Sequence, residues 1–148
     1  MFDRFEKFTA TIFEISRSWH KLASGVMEKY GLNGPYAVYF TNMYRFPEGI
    51  TSIKLAELCS RDKSDVSRAI NLLEKKGLVV KRAVNENFYR AALILTEEGR
   101  KIAEVINEKV KLAVQLGGNG LTDNQREVFY HALELISSNL EALSEKGI

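Results

Sequence analysis

The sequence has few of the side chains that most catalytic and metal sites use. It contains one cysteine, which excludes an intramolecular disulfide framework and a multi-cysteine zinc site. Its two histidines, His20 and His131, lie far apart, and it has neither a glycine-rich phosphate loop nor a nucleophile elbow. Glu127 and Glu134 can share a helical face with His131, but a solvated face explains them at least as well as a metal site. We therefore expect no enzyme, no metal and no cofactor.

Long apolar runs are also missing. No stretch approaches the ~18 consecutive apolar residues of a membrane span, and the N-terminus is charged from its start, unlike a secretory signal. An apolar fraction of 45% and a charged fraction of 27% are typical of a soluble globular protein. We therefore expect a cytoplasmic protein of one domain, residues 1–148, without a membrane partner.

The positive charge is concentrated in one part of the chain. The net charge is only +2, but residues 61–90 contain eight Lys or Arg against four Asp or Glu. That segment therefore carries a net +4 and leaves −2 for the remainder. A local excess of cations is what contact with nucleic acid phosphates requires.

A short amphipathic helix is predicted over residues 51–59. Ile53, Leu55, Ala56 and Cys59 can share one side of it at helical spacing. Cys59 has two interpretations, a redox switch or a small buried hydrophobic residue, and its place after Leu55 favours the second.

A second amphipathic helix follows at once. Asp62 is a plausible N-cap, Asp65 adds an acidic residue to the first turn, and Gly77 marks the end. Its inward stripe consists of Val66, Ile70 and Leu73. Its outward side offers cations and short hydrogen-bonding groups, which suit DNA bases and phosphates but also occur on ordinary solvated helices. These outward residues are Lys63, Ser64, Ser67, Arg68 and Asn71.

A β-hairpin is predicted next, with strands over residues 78–83 and 89–95 and a turn around residues 85–87. The order helix, turn, helix, hairpin is that of a winged helix-turn-helix. We therefore predict a mainly α (α+β) fold in which residues 35–100 form this DNA-binding region.

Motifs between residues 55 and 100 resemble those of the MarR family of transcriptional regulators. They are Leu55-Ala56-Glu57, Asp62-Lys63-Ser64, Val66-Ser67-Arg68, Leu73-Glu74-Lys75-Lys76-Gly77-Leu78-Val79 and Leu95-Thr96-Glu97-Glu98-Gly99-Arg100. The resemblance implies a sequence-specific regulator, expected to be a repressor, that binds an inverted repeat of double-stranded DNA as a homodimer. The alternative is a dimeric winged-helix module that binds a protein and has no specific operator.

The resemblance and the side-chain chemistry together predict the residues that contact DNA. They are Arg61, Lys63, Ser64, Ser67, Arg68, Asn71, Lys81, Arg82, Asn87 and Arg90. Arg68 is the best candidate for a bidentate contact to guanine. The wing departs from the family pattern, because Phe88 and Tyr89 stand where relatives commonly carry an Asp-Arg pair.

Both ends of the chain are predicted to be long helices with surplus apolar surface. In the first, over residues 5–30, apolar residues recur at alternating spacings of three and four. In the last, Thr122 and Gln125 form a predicted capping box ahead of another apolar face. A single winged helix cannot cover both stripes, so residues 1–34 and 101–148 are expected to form a dimerisation region.

Residues 36–46 are rich in aromatic side chains. One interpretation is a buried linker helix. The family resemblance implies another, a cavity for a small aromatic or anionic effector. Its expected lining is Arg17, Trp19, Tyr36, Tyr39, Phe40 and Met43.

Overall fold

The computed structural model describes residues 3–83 and 91–148. Within these ranges the chain forms six α-helices and one two-stranded antiparallel sheet, which confirms the predicted mainly α fold with a winged helix-turn-helix. The helices are α1 (Arg4–Met27), α2 (Ala37–Tyr44), α3 (Ser52–Cys59), α4 (Lys63–Lys75), α5 (Glu97–Gly117) and α6 (Asp123–Lys146). The strands are β1 (Val79–Arg82) and β2 (Ala92–Leu95). By contacts the chain divides into two compact units, Met1–Lys109 and Val110–Ile148.

The first unit contains the buried core. It is built mainly from α2, α3, α4 and the sheet, with contributions from the end of α1 and the start of α5. The largest fully buried side chains are Phe40, Met27, Met43, Leu55, Ile70, Leu73, Leu93, Ile106, Val66 and Val79. The predicted inward stripe of α4 is thus confirmed, and burial of these side chains supplies the main stabilisation of the winged part.

Helix α1 confirms the predicted N-terminal helix but has little of its apolar seam covered. Met27 is the one residue of α1 that is buried. A short 3-10 helix, Glu28–Tyr30, continues it, and Gly31 ends it with a φ of 67°. Phe5 and Phe8, in contrast, are exposed in the single chain.

Helix α3 corrects one sequence expectation. Leu55, Ala56 and Cys59 are buried, but Ile53 is 57% exposed. At about 100° per residue, Ile53 lies roughly 160° around the helix from Leu55, so the two side chains cannot face the same core. Thr51 caps the helix, because its Oγ1 accepts from the Lys54 amide at 3.2 Å.

The hairpin is held to both neighbouring helices. Strands β1 and β2 pair with Val79 opposite Leu95, and Ile50 forms an isolated bridge to Leu93. Thr96 Oγ1 donates to the Gly77 carbonyl at 2.7 Å and accepts from the Gly99 amide at 3.1 Å. These bonds cap α5 and fix its first turn beside the end of α4. The predicted hairpin turn at residues 85–87 lies outside the described residues.

The second unit consists of the end of α5, a turn and α6. Thr122 and Gln125 form the predicted capping box, with bonds of 3.2 Å and 2.9 Å. Arg126 adds a bond from its Nη2 to the Gly118 carbonyl at 2.9 Å. No residue of α6 is buried, and its exposed apolar side chains include Phe129 and Ile136. Across the described ranges, no helix combines the length and apolar character needed to cross a membrane.

Candidate nucleic-acid interface

Helix α4 turns a polar side outward. Val66, Ala69, Ile70 and Leu73 are buried, and this fixes the rotation of the helix. All five residues predicted for its outward side are consequently exposed: Lys63, Ser64, Ser67, Arg68 and Asn71. Gly77, with a φ of 74°, ends the turn after α4 as predicted. An exposed helix of this length with cations, hydroxyls and an amide can enter a major groove and contact base edges.

Strand β1 adds two cations beside this helix. Lys81 and Arg82 are both exposed. Lys81 Nζ lies 3.4 Å from Asn71 Oδ1 and 4.0 Å from Glu74 Oε2, so the strand lies alongside the second half of α4. We call the outward residues of α4 together with Arg61, Lys81 and Arg82 the reading face. The other two predicted contacts, Asn87 and Arg90, lie outside the described residues.

Arg61 stands at the turn between α3 and α4. Its side chain is exposed, while its amide donates to the Ala56 carbonyl at 3.0 Å. Ser60 precedes it with a φ of 51°, a left-handed conformation that allows the sharp change of direction between the helices. The backbone of the turn thus presents Arg61 at the same end of the reading face as Lys63.

Two buried groups lie behind this end of the reading face. Burial raises the pKa of the Tyr39 phenol; the positive charge of Arg61 opposes this, and the negative charge of Asp65 adds to it. Burial also raises the pKa of the Cys59 thiol, although the bond from Asn42 Nδ2, at 3.5 Å, lowers it. Both groups are therefore neutral near pH 7, and Cys59, 8% exposed, is confirmed as a buried small side chain.

The residues predicted to line an effector cavity fall into two sets. Tyr39, Phe40 and Met43 of α2 are buried in the core of the first unit. Arg17 and Trp19 are exposed on α1, and Tyr36 is half-buried with its ring 6.1 Å from that of Tyr39.

An open cleft of about 690 Å³ lies elsewhere in the first unit. Residues of α1, the 3-10 helix after it and α5 line it: Ser18, Lys21, Leu22, Gly25, Val26, Lys29, Tyr30, Val105 and Lys109. Sequence reasoning assigned none of these to a ligand. Within the described ranges, no three His, Cys, Asp or Glu side chains converge as a metal site.

Sequence reasoning also missed two acidic partners of the reading face. Arg68 Nη2 forms an ion pair with Asp65 Oδ1, and Glu74 lies near Lys81. The first pair has a visible signal, since opposite charges three residues apart on a helix can meet. The second pair joins a helix to a strand, so its signal appears only in the folded chain.

The sequence of this chain is similar to those of known transcriptional regulators. The MarR family model matches residues 30–86. The chain is 28% identical over 104 residues to YybA, an uncharacterised HTH-type transcriptional regulator of Bacillus subtilis, and the match spans 70% of this chain and 69% of the relative.

Solved structures share the fold. A MarR protein from Peptoclostridium difficile is similar with a TM-score of 0.86 and 22% identity, over 99% of this chain and 96% of the other. A MarR family regulator from Listeria monocytogenes, solved with a 26mer DNA, has a TM-score of 0.82 at 23% identity, covering 99% and 97%. The S. aureus MepR–DNA complex has a TM-score of 0.81 at 19% identity, covering 94% and 99%. The resemblance drawn from the sequence is confirmed.

Proposed function

We propose that this chain, which resembles MarR family regulators in sequence and shares their winged helix-turn-helix fold, is a transcriptional repressor that binds a specific sequence of double-stranded DNA as a homodimer. The observation that carries the proposal is the reading face, where α4 presents only polar and charged side chains outward. Two similar structures, from Listeria monocytogenes and S. aureus, were solved with DNA, which supports the same use of the fold here. The expected cytoplasmic location belongs to this proposal, since DNA is the target.

Within the reading face, the proposed roles follow the chemistry of each side chain. Arg68 contacts guanine, because a guanidinium can bind O6 and N7 together. Ser64, Ser67 and Asn71 contact base edges or nearby phosphates. The lysines and the other arginines neutralise phosphates, as their long exposed side chains allow. These are Arg61, Lys63, Lys81 and Arg82. Asn87 and Arg90, which lie outside the described residues, are the remaining predicted DNA contacts.

The proposed dimer is supported by the apolar surface of the terminal helices. Helix α1 exposes Phe5, Phe8, Ile12 and Ile15, and α6 exposes a further stripe. Exposed apolar surface on this scale is unfavourable in water, and a second copy is the partner that a symmetric regulator supplies. We propose that residues 1–34 and 101–148 form this interface, while residues 35–100 bind DNA. Two-fold symmetry then requires an inverted repeat with half-sites about 34 Å apart.

We further propose release from DNA by a small aromatic or anionic effector. The six residues predicted from the sequence are one candidate site, which requires the core around Tyr39 and Phe40 to open, since both are buried. The cleft beside α1 is the other, because it combines an apolar wall with Lys21, Lys29 and Lys109. Alanine variants at Tyr36 and Lys29 separate the two, since an effector should lose affinity for one variant and keep it for the other.

The proposal is tested by selecting bound sequences from random duplex DNA with the purified protein and measuring its mass in the same buffer. We expect a dimer that recovers an inverted repeat. Failure to recover any motif at both low and physiological salt would contradict the proposal. That result would favour the alternative, a dimeric winged-helix module that binds a protein.

A further inference from the structure

The guanidinium of Arg68 is already engaged in the absence of DNA. Its Nη2 lies 2.5 Å from Asp65 Oδ1, one helical turn nearer the start of α4. The Arg68 side chain is 75% exposed and that of Asp65 43% exposed, so the pair stands on the reading face with its carboxylate partly sheltered. Asp65 was not among the residues that sequence reasoning assigned to DNA.

We propose that Asp65 is a specificity-determining residue that reads DNA together with Arg68. The inference rests on the proposed function, since it concerns how the same reading face selects its sequence. Arg68 contacts a guanine, and Asp65 accepts a hydrogen bond from the amino group of a neighbouring cytosine. Carboxylates accept from cytosine N4 in the major groove, just as arginine binds guanine.

The position of Asp65 suits this role. It is the third residue of α4, and the first residues of a recognition helix are those that approach base edges. Holding one end of the guanidinium also limits the rotamers of Arg68, which lowers the entropy lost when the arginine binds a base. Asp65 therefore orients its neighbour as well as offering an acceptor of its own.

The negative charge of Asp65 helps to discriminate between DNA sequences. A carboxylate close to DNA is repelled by phosphates, and this repulsion is offset only where the base sequence provides a donor. Arg61 and Lys63, in contrast, have no ion pair within the described part of the chain. Those two cations remain free for phosphates on any sequence, whereas the pair of Asp65 and Arg68 favours one sequence.

The experiment compares the wild type with Asp65→Asn in the selection from random duplex DNA, and then measures affinity for the selected duplex and for the unselected pool. Asparagine prefers adenine to cytosine. We therefore expect the preference at one base pair of each half-site to move from cytosine to adenine, with about a tenfold loss of affinity for the original duplex. Affinity for the unselected pool should rise, and its log–log dependence on salt should steepen by about one as Arg68 becomes free for phosphate.

Two control variants distinguish base recognition by Asp65 from a general effect of charge and from a loss of folding. Asp62→Asn makes the same charge change at the N-cap position of α4, where the side chain makes no capping hydrogen bond. It should raise affinity for all duplexes without changing the selected sequence. Asp65→Glu keeps a carboxylate and should keep the preference for cytosine. Thermal unfolding of each variant reports whether α4 is intact.

The outcomes distinguish the two proposals. If the wild type selects no sequence, the proposed function fails and this inference fails with it. If the wild type selects a sequence that Asp65→Asn selects equally well, the inference alone is wrong. It is also wrong if Asp62→Asn and Asp65→Asn change affinity and sequence preference alike.

Discussion

The winged part and the terminal helices of this chain use their apolar residues in opposite ways. In α4 every residue of the predicted stripe is buried, and the outward side is polar. In α6 the stripe is as regular, yet none of its residues is buried. An apolar pattern thus predicts which side of a helix will be buried against another surface. Only the folded structure shows whether that surface belongs to the same chain.

The difference separates two kinds of stability. Burial within the first unit contributes at any protein concentration, because all partners belong to one chain. The stripes of α1 and α6 contribute only when another surface covers them, so their effect should depend on concentration. Variants placed in each of the two regions test this division.

The largest effect is expected from a charge placed in the stripe of α1. Ile12 is 42% exposed in the single chain and lies in the middle of the seam. In a symmetric dimer, Ile12→Asp enters the interface twice, and at roughly 3 kcal/mol for each unpaired buried charge it should weaken dimerisation by about 6 kcal/mol. Analytical ultracentrifugation should then find monomer at concentrations where the wild type is dimeric.

Ala10→Asp is the matched control for this variant. It introduces the same charge on the same helix, but at an exposed position away from the seam of residues 5, 8, 12 and 15. Its dimerisation should remain within about 0.5 kcal/mol of the wild type. Equal weakening by both variants would show that α1 dimerises through another face or that charge anywhere on it is harmful.

The next largest effect on stability is expected from removing a phenylalanine ring in each of the two regions. Phe40 is fully buried in α2, so Phe40→Ala should lower the free energy of unfolding by about 3–5 kcal/mol at every protein concentration. Phe129 on α6 is 46% exposed, and Phe129→Ala should lower stability mainly by weakening the dimer. Urea denaturation at two widely separated protein concentrations measures whether each loss of stability depends on dimerisation. A concentration-independent loss at Phe129 would contradict the division.

A smaller effect is expected at the reading face, where the winged part meets DNA instead of its own core. Arg68→Ala should weaken binding to the selected duplex by about 1–3 kcal/mol per half-site and leave unfolding nearly unchanged. Arg45→Ala removes an equally charged, exposed side chain at the end of α2 and serves as the control. Equal loss of affinity in both variants would exclude a base contact by Arg68.

Much of the fold could be predicted from local patterns. The stripe of Val66, Ile70 and Leu73, the stop at Gly77 and the capping box of α6 are properties of a few neighbouring residues, and the structure contains them all. Ile53 is the exception: a short helix offers too few turns for an apolar pattern to define one side, and Ile53 lies on the side away from the core.

The site was less accessible to sequence reasoning. The outward side of α4 followed from its buried side, so its exposed residues could be named in advance. The contact of Lys81 with Asn71 and Glu74 joins β1 to α4, and no local pattern encodes such a distance. The cleft beside α1 likewise depends on how α1 and α5 pack, which places Lys21 and Lys109 on the same opening.

The smallest effect compares the N-caps of the two regions. Thr51 caps α3 and Thr122 caps α6, each by accepting from the amide three residues on at 3.2 Å. Either change to alanine should cost about 1 kcal/mol. For Thr51 the loss should appear in global unfolding, because α3 is packed into the core. For Thr122 the loss should appear as faster amide exchange in the first turns of α6 and as weaker dimerisation, since no residue of that helix is buried in its own chain.

If Thr122→Ala instead lowered the global stability of the monomer as much as Thr51→Ala, α6 would belong to the part of the fold that is stable within one chain. The contrast between the two regions would then be lost.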